Sequence, residues 1–194
     1  MSTNTILLLL LFIPVMLWLK YSDSYKFAND LKAAGEKYYG SVAGEGMFSQ
    51  PSLNVPYKGN MLVITCTRYR RGTDIYSAVL TLSEPHFPEI TLGTNSILQK
   101  SVGNYGSDRV LTGDERFDFL FIVRSRVHSA VMKVLTEEVR EKLKNKPFYT
   151  PSFTFEPARF NMSTTLTGYD QRSDAYEVFV DIIISMLDRA WDKL

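Results

Sequence analysis

The first twenty residues are patterned differently from everything after them. Ile6 to Leu19 reads ILLLLLFIPVMLWL, and only Pro14 in that run is not strongly apolar. Thr3, Asn4 and Thr5 extend it. A helix rises about 1.5 Å per residue against a hydrocarbon core of roughly 30 Å, so the segment is long enough to cross a thin bilayer. Lys20 by snorkelling, and Trp18 and Tyr21 by sitting at the interface, help to close the gap. A cleaved signal peptide and a buried core helix compete with this reading. Met1 to Thr5 holds no Lys or Arg, and Ser22-Asp23-Ser24 is a poor cleavage site, so the flanks favour an uncleaved anchor over residues 1–20.

Residues 21–194 then read as a single α+β domain with a largely antiparallel sheet and packed helices. Phe27, Leu31, Ala34 and Tyr38 recur at helical spacing and predict a helix over 25–39, although Gly35 inside it costs about 1 kcal/mol relative to alanine. Gly40, Gly44, Gly46, Pro51 and Pro56 predict a loop. Alternation over Leu62–Thr67 and Ile75–Ser83 predicts a hairpin whose turn holds Arg70, Arg71, Gly72 and Thr73. Short strands are expected at Ile90–Leu92 and Ile97–Gln99.

Phe117 to Val123 (FDFLFIV) is apolar at both parities, which predicts a central strand covered on both sides. Val127–Leu143 reads as a helix in two pieces, with Thr136 as the second N-cap and Pro147 as its end. A second hairpin is expected around Pro157. Ser173 caps a closing helix with a broad stripe of Val178, Ile182, Ile183, Met186, Leu187, Ala190 and Trp191.

Composition narrows the function classes. The chain has 194 residues, 45% hydrophobic and 22% charged, with a net charge of +1. That balance excludes disorder and gives no global pull toward nucleic acid, so no nucleic-acid partner is expected. Lys20, Lys26, Lys32 and Lys37 follow the apolar run and no basic residue precedes it. The asymmetry places the C-terminal domain in the cytoplasm, with membrane lipid as the partner of the N-terminal helix. Asn161-Met162-Ser163 is a glycosylation triplet of a kind common by chance.

Candidate chemistry is sparse. The one cysteine, Cys66, shares strand parity with Leu62 and Ile64, which predicts a buried, inert thiol. His86 and His128 are far apart, and no H-E-x-x-H, G-x-S-x-G or phosphate-cradling glycine loop is present, so no metal or other cofactor is expected. Asp114, Glu115 and Asp118 are the tight carboxylate cluster, open to a hydrolase reading but placed where a turn would use them. Arg68, Tyr69, Arg70 and Arg71 form a basic patch with an interleaved aromatic, a candidate contact for anionic lipid or a partner.

The run Thr112-Gly113-Asp114-Glu115-Arg116-Phe117-Asp118-Phe119-Leu120-Phe121-Ile122-Val123 resembles a T-G-D-x-x-F-D-x-x-F-x-V signature of uncharacterised, membrane-anchored prokaryotic proteins. Leu135, Thr136, Val139, Arg140 and Leu143 match its following helix, and Gly59 to Thr67 its upstream strand. The resemblance implies an anchored α+β domain and brings no activity, cofactor or catalytic residue. The sequence thus supports a membrane-tethered, non-enzymatic interaction or scaffold domain with an unknown protein partner. A subunit of a membrane assembly and a hydrolase on the Asp114 cluster are the alternatives.

Overall fold

The computed structural model describes residues 3–44, 50–68, 73–94, 108–145, 148–167 and 172–191. The chain opens with helix α1 (Thr3–Glu36), followed by strands β1 (Ser41–Ala43), β2 (Ser52–Tyr57), β3 (Asn60–Arg68), β4 (Thr73–Thr81), β5 (Ile90–Thr94) and β6 (Arg109–Val110). Helix α2 (Glu115–Leu120) leads into β7 (Phe121–Arg124), then come α3 (His128–Val134) and α4 (Glu137–Lys144). Hairpin β8 (Phe148–Glu156) and β9 (Arg159–Thr167) precedes the last helix, α5 (Arg172–Trp191). The fold is α+β.

Among the described residues, all strands join one nine-stranded sheet in the order β1-β2-β3-β4-β9-β8-β5-β7-β6. Every pairing is antiparallel. The tight turns show why the strands reverse where they do. Lys58 (φ 45°) and Gly59 (φ 79°) join β2 to β3 in the two-residue, doubly positive-φ form that matches strand twist. Pro157 and Ala158 reverse β8 into β9, and their carbonyls accept from Leu82, His86 and Phe87. Pro56 falls inside β2 rather than in a loop. Strand β1 reaches only Ser52–Asn54, so Pro56 occupies an edge position whose neighbour strand asks for no N–H.

Along β2, β3, β4, β8 and β9 side chains alternate between two environments, whereas Phe121, Ile122 and Val123 of β7 are all buried. Leu53, Val55, Leu62, Ile64, Cys66, Tyr76, Ala78, Leu80, Phe153, Phe155, Phe160 and Met162 are all buried on one face, beneath the helices. Helix α5 lays Tyr176, Phe179, Ile183, Met186 and Leu187 on that face, and Tyr76 meets Tyr176 and Phe179 with centroids 5.0 and 5.6 Å apart. Burial of each large apolar side chain contributes on the order of 1.5–3 kcal/mol.

Three local differences from the sequence reading stand out. The predicted anchor and the helix predicted from Tyr25 are one uninterrupted helix, α1, with Pro14 inside it. Its C-terminal part buries Ala28, Leu31 and Ala34, while Phe12, Ile13, Val15, Met16 and Trp18 are exposed. Among the described residues, no helix is long and apolar enough to cross a membrane. The helix ends in a Schellman turn. Gly40 N donates to Gly35 O at 2.9 Å, Tyr39 N donates to Glu36 O at 3.2 Å, and Tyr39 itself is left-handed at φ 56°.

The second difference is a correction. Phe117–Val123 is not a central strand. Residues Glu115–Leu120 are the helix α2, and the strand begins only at Phe121. The double-parity pattern that suggested a two-sided strand arises because a short helix abuts a four-residue strand. Phe117 is fully buried, whereas Phe119 is 75% exposed. The third concerns caps: Thr136 stands at the N-cap of α4 without a capping bond, and Ser173 lies inside the first turn of α5. The strand expected at Ile97–Gln99 lies outside the described residues.

Candidate functional site

The carboxylate cluster is divided between two structural tasks. Asp114 is the N-cap of α2, accepting from Phe117 N at 3.0 Å, and this bond starts the helix where a strand was expected. Its other oxygen receives Lys144 Nζ of α4 at 2.5 Å and stands 3.8 Å from Arg140 Nε. Lys144 is 5% exposed and also reaches Glu141 at 2.6 Å. The hydrogen bond from Lys144, then that from Phe117 N, hold the Asp114 carboxyl below the ordinary carboxylate range. The same contacts raise Lys144. At neutral pH Asp114 is an anion with no proton to give, which suits anchoring better than general acid chemistry.

Asp118 turns the other way. Both of its oxygens accept from Thr112 N at 3.0 Å, one takes Thr112 Oγ1 at 2.9 Å, and the other takes Gly113 N at 3.2 Å. Gly113 has φ 79°, a conformation that the residue between Thr112 and Asp114 reaches cheaply only as glycine. Glu115 is exposed in the first turn of α2. The Thr-Gly-Asp run and the Phe-Asp pair are therefore one closed turn, clamped to α4 by Lys144. Sequence reading placed Arg140 near the signature, but nothing in the pattern marked Lys144.

Arg68 ends β3 with Asp74 as its Cα partner, at one end of the sheet. Tyr69, Arg70 and Arg71 lie outside the described residues. Cys66 is buried in the core as expected. His128 begins α3 and is exposed. His86 is exposed, with Nδ1 2.7 Å from Pro85 O. Its ring lies 4.5 Å from Trp191, a neighbour 105 residues away that no local motif reveals. Lys58 Nζ stands 4.9 Å from the Trp191 ring and 3.4 Å from Asp188. Among the described residues, no group of three or more His, Cys, Asp or Glu is placed to hold a metal ion.

The face of the sheet opposite the helices has its own character. Register pairings align Ser52, Thr65, Ser77, Ser163 and Ser152 in one row across five strands, with Ser152 Oγ and Ser163 Oγ 2.9 Å apart. The next row runs Asn54, Val63, Val79, Asn161 and Thr154. All of these are half-buried except Asn161, which is exposed. Among the described side chains on this face of β2, β3, β4, β9 and β8, only Glu156 and Arg159 are charged, and they pair beside the β8–β9 turn.

No family model and no curated protein matches the chain. Among solved structures, the chain is similar to the crystal structure of the mycobacterial trehalose monomycolate transport factor A, TtfA. That match has 9% identity and a TM-score of 0.38, and it covers 81% of this chain and 94% of the other. A likeness so distant carries neither fold nor function across, and the site stands on its own geometry.

That geometry offers a clamped turn, an aromatic cluster around Trp191 and a broad uncharged sheet face. The first two are occupied by partners within the chain. The third presents its hydroxyl and aliphatic groups outward.

Proposed function

We propose that the protein is a membrane-tethered, non-enzymatic interaction domain that binds a protein partner through the open face of its sheet. The observation that carries this reading is the division of α1. One continuous helix is buried at Ala28, Leu31 and Ala34, and its exposed side chains at Phe12, Ile13, Val15, Met16 and Trp18 are apolar. Apolar groups on every side of a helix are costly in water and favourable in a bilayer. The run Ile6–Leu19 supplies the remaining length, and the lysines that follow it favour a cytoplasmic domain. Asp114 and Asp118, bound into their own turn, supply no acid–base pair for the alternative hydrolase reading.

Membrane fractionation tests the tether. The full chain should stay with membranes through carbonate extraction and be shielded from protease added outside the cell. Release by carbonate, or a shortened species outside, would refute an inward-facing anchor.

A further inference from the structure

The open sheet face departs from what water alone would favour. A surface meant to stay in water is best given roughly 25–35% charged residues of mixed sign, because uncharged surfaces favour association. Here the rows through Ser77 and Val79 cross five strands without a charged side chain. We infer that this face packs against the same face of a second copy of the chain, sheet on sheet, about a two-fold axis near Ser77 and Ser163. The inference deepens the interaction-domain reading and rests on it.

Three features select a second copy over another partner. A two-fold contact sets each patch against itself, so any cluster of charge would meet its like, and this face has none at its centre. Ser and Thr hydroxyls both donate and accept, so a row of them is complementary to its own reverse. A strongly acidic or basic partner would find no counter-charge here.

The composition also follows the anatomy of an interface. Val63 and Val79 are cross-strand partners near the centre, Ile75 lies two rows away beyond the Ser77 row, and Asn54, Asn161 and Thr154 extend the apolar pair on both sides. Sheets stack about 10 Å apart, a spacing that small side chains such as Ser77 and Ser163 permit.

Size fits as well. Strands β3, β4, β8 and β9 are each nine residues long. Five strands at about 4.8 Å spacing and about 3.3 Å per residue cover roughly 700 Å². A standard interface buries about 800 Å² on each partner. Confinement of two tethered copies to one membrane raises their effective concentration and favours the contact further.

The full chain in detergent micelles gives the test, by analytical ultracentrifugation of the wild type and of Ser77→Arg and Ser163→Arg. The expected result is a dimer whose dissociation constant rises at least 100-fold in either arginine variant, with thermal melts showing that each remains folded. Ser77→Cys should form a disulfide-linked dimer under mild oxidation, and Tyr39→Cys, exposed elsewhere, should not. If one arginine variant fails to fold, the other and the cysteine pair still decide. A monomer at every concentration, a dimer indifferent to both arginines, or cross-linking at position 39 but not 77 would overturn the inference. So would a monomer whose Ser77→Cys label is shielded only by a different protein. Failure of the tether appears separately, as carbonate release, and leaves the micellar measurement intact.

Discussion

The Tyr38 phenol donates to Asp181 Oδ1 at 2.6 Å, tying the turn after α1 to the middle of α5. Lys37 Nζ reaches the same carboxylate at 3.1 Å. Two helical turns further along α5, Asp188 repeats the arrangement with Tyr57 at 3.0 Å and Lys58 at 3.4 Å. One helix thus uses two aspartates seven residues apart to hold both ends of the segment that carries β1 and β2.

Burial, then the bond to Asp181, raise the Tyr38 phenol above its ordinary value, so it stays protonated as the donor well past neutral pH. Tyr38→Phe should cost roughly 1 kcal/mol, below the usual range for a bond to a charged group because the site is partly exposed. Urea unfolding reads this as a lower midpoint at unchanged slope. An unchanged midpoint would show that the bond adds nothing to stability.

Loss of the Asp114 clamp should be more severe. Asp114→Ala removes the α2 cap and one of the two carboxylates that pair the nearly buried Lys144, for an expected loss of about 2–3 kcal/mol. Asp114→Asn keeps a capping oxygen and should lose less.

Acid should act through the same residue. The folded carboxyl lies below its ordinary value of 3.8, so its contribution is fully present above that pH and is lost as pH falls through the lower, folded value. Melting temperature measured from pH 5 downward should therefore fall more steeply in the wild type than in Asp114→Asn. Parallel curves would contradict the assignment.

Phe117 and Phe119, two residues apart, should behave as opposites. Phe117 is fully buried and packs 4.8 Å from the Phe121 ring, so Phe117→Ala should cost about 3–5 kcal/mol. Phe119, at 75% exposure, should cost under about 0.5 kcal/mol. Equal losses would restore the strand that the sequence pattern suggested.

Tyr39 is 89% exposed and left-handed at the end of α1. A left-handed side chain costs about 1–2 kcal/mol, and glycine returns part of that gain as unfolded-state entropy. Tyr39→Gly should therefore raise stability by roughly 0.5 kcal/mol, seen as a small rise in melting temperature.

Periodicity was enough to read the long hairpins, the two-piece helix and α5, because each repeats its apolar positions over several turns or alternations. It failed where the deciding contact is distant in sequence. Gly35 reads as a defect in a helix, but a Cβ there would run into the buried side chain of Leu53 from the adjacent strand β2. The α2 segment reads as a strand because its cap depends on Asp114, and Asp114 in turn on Lys144, 30 residues later. The open face was legible only after register aligned Ser52, Thr65, Ser77, Ser163 and Ser152, since each strand alone shows ordinary alternation.

The strand order also sets a schedule for synthesis. Strand β4 pairs locally with β3 on one side, but its other partner is β9, with Thr73 opposite Thr167. At translation speeds of 5–20 residues per second, the far side of β4 waits roughly 4–17 s for β9 to be made. During that interval the nascent chain holds a nine-residue strand with one unpaired edge, and the sheet closes only when nearly the whole chain has emerged.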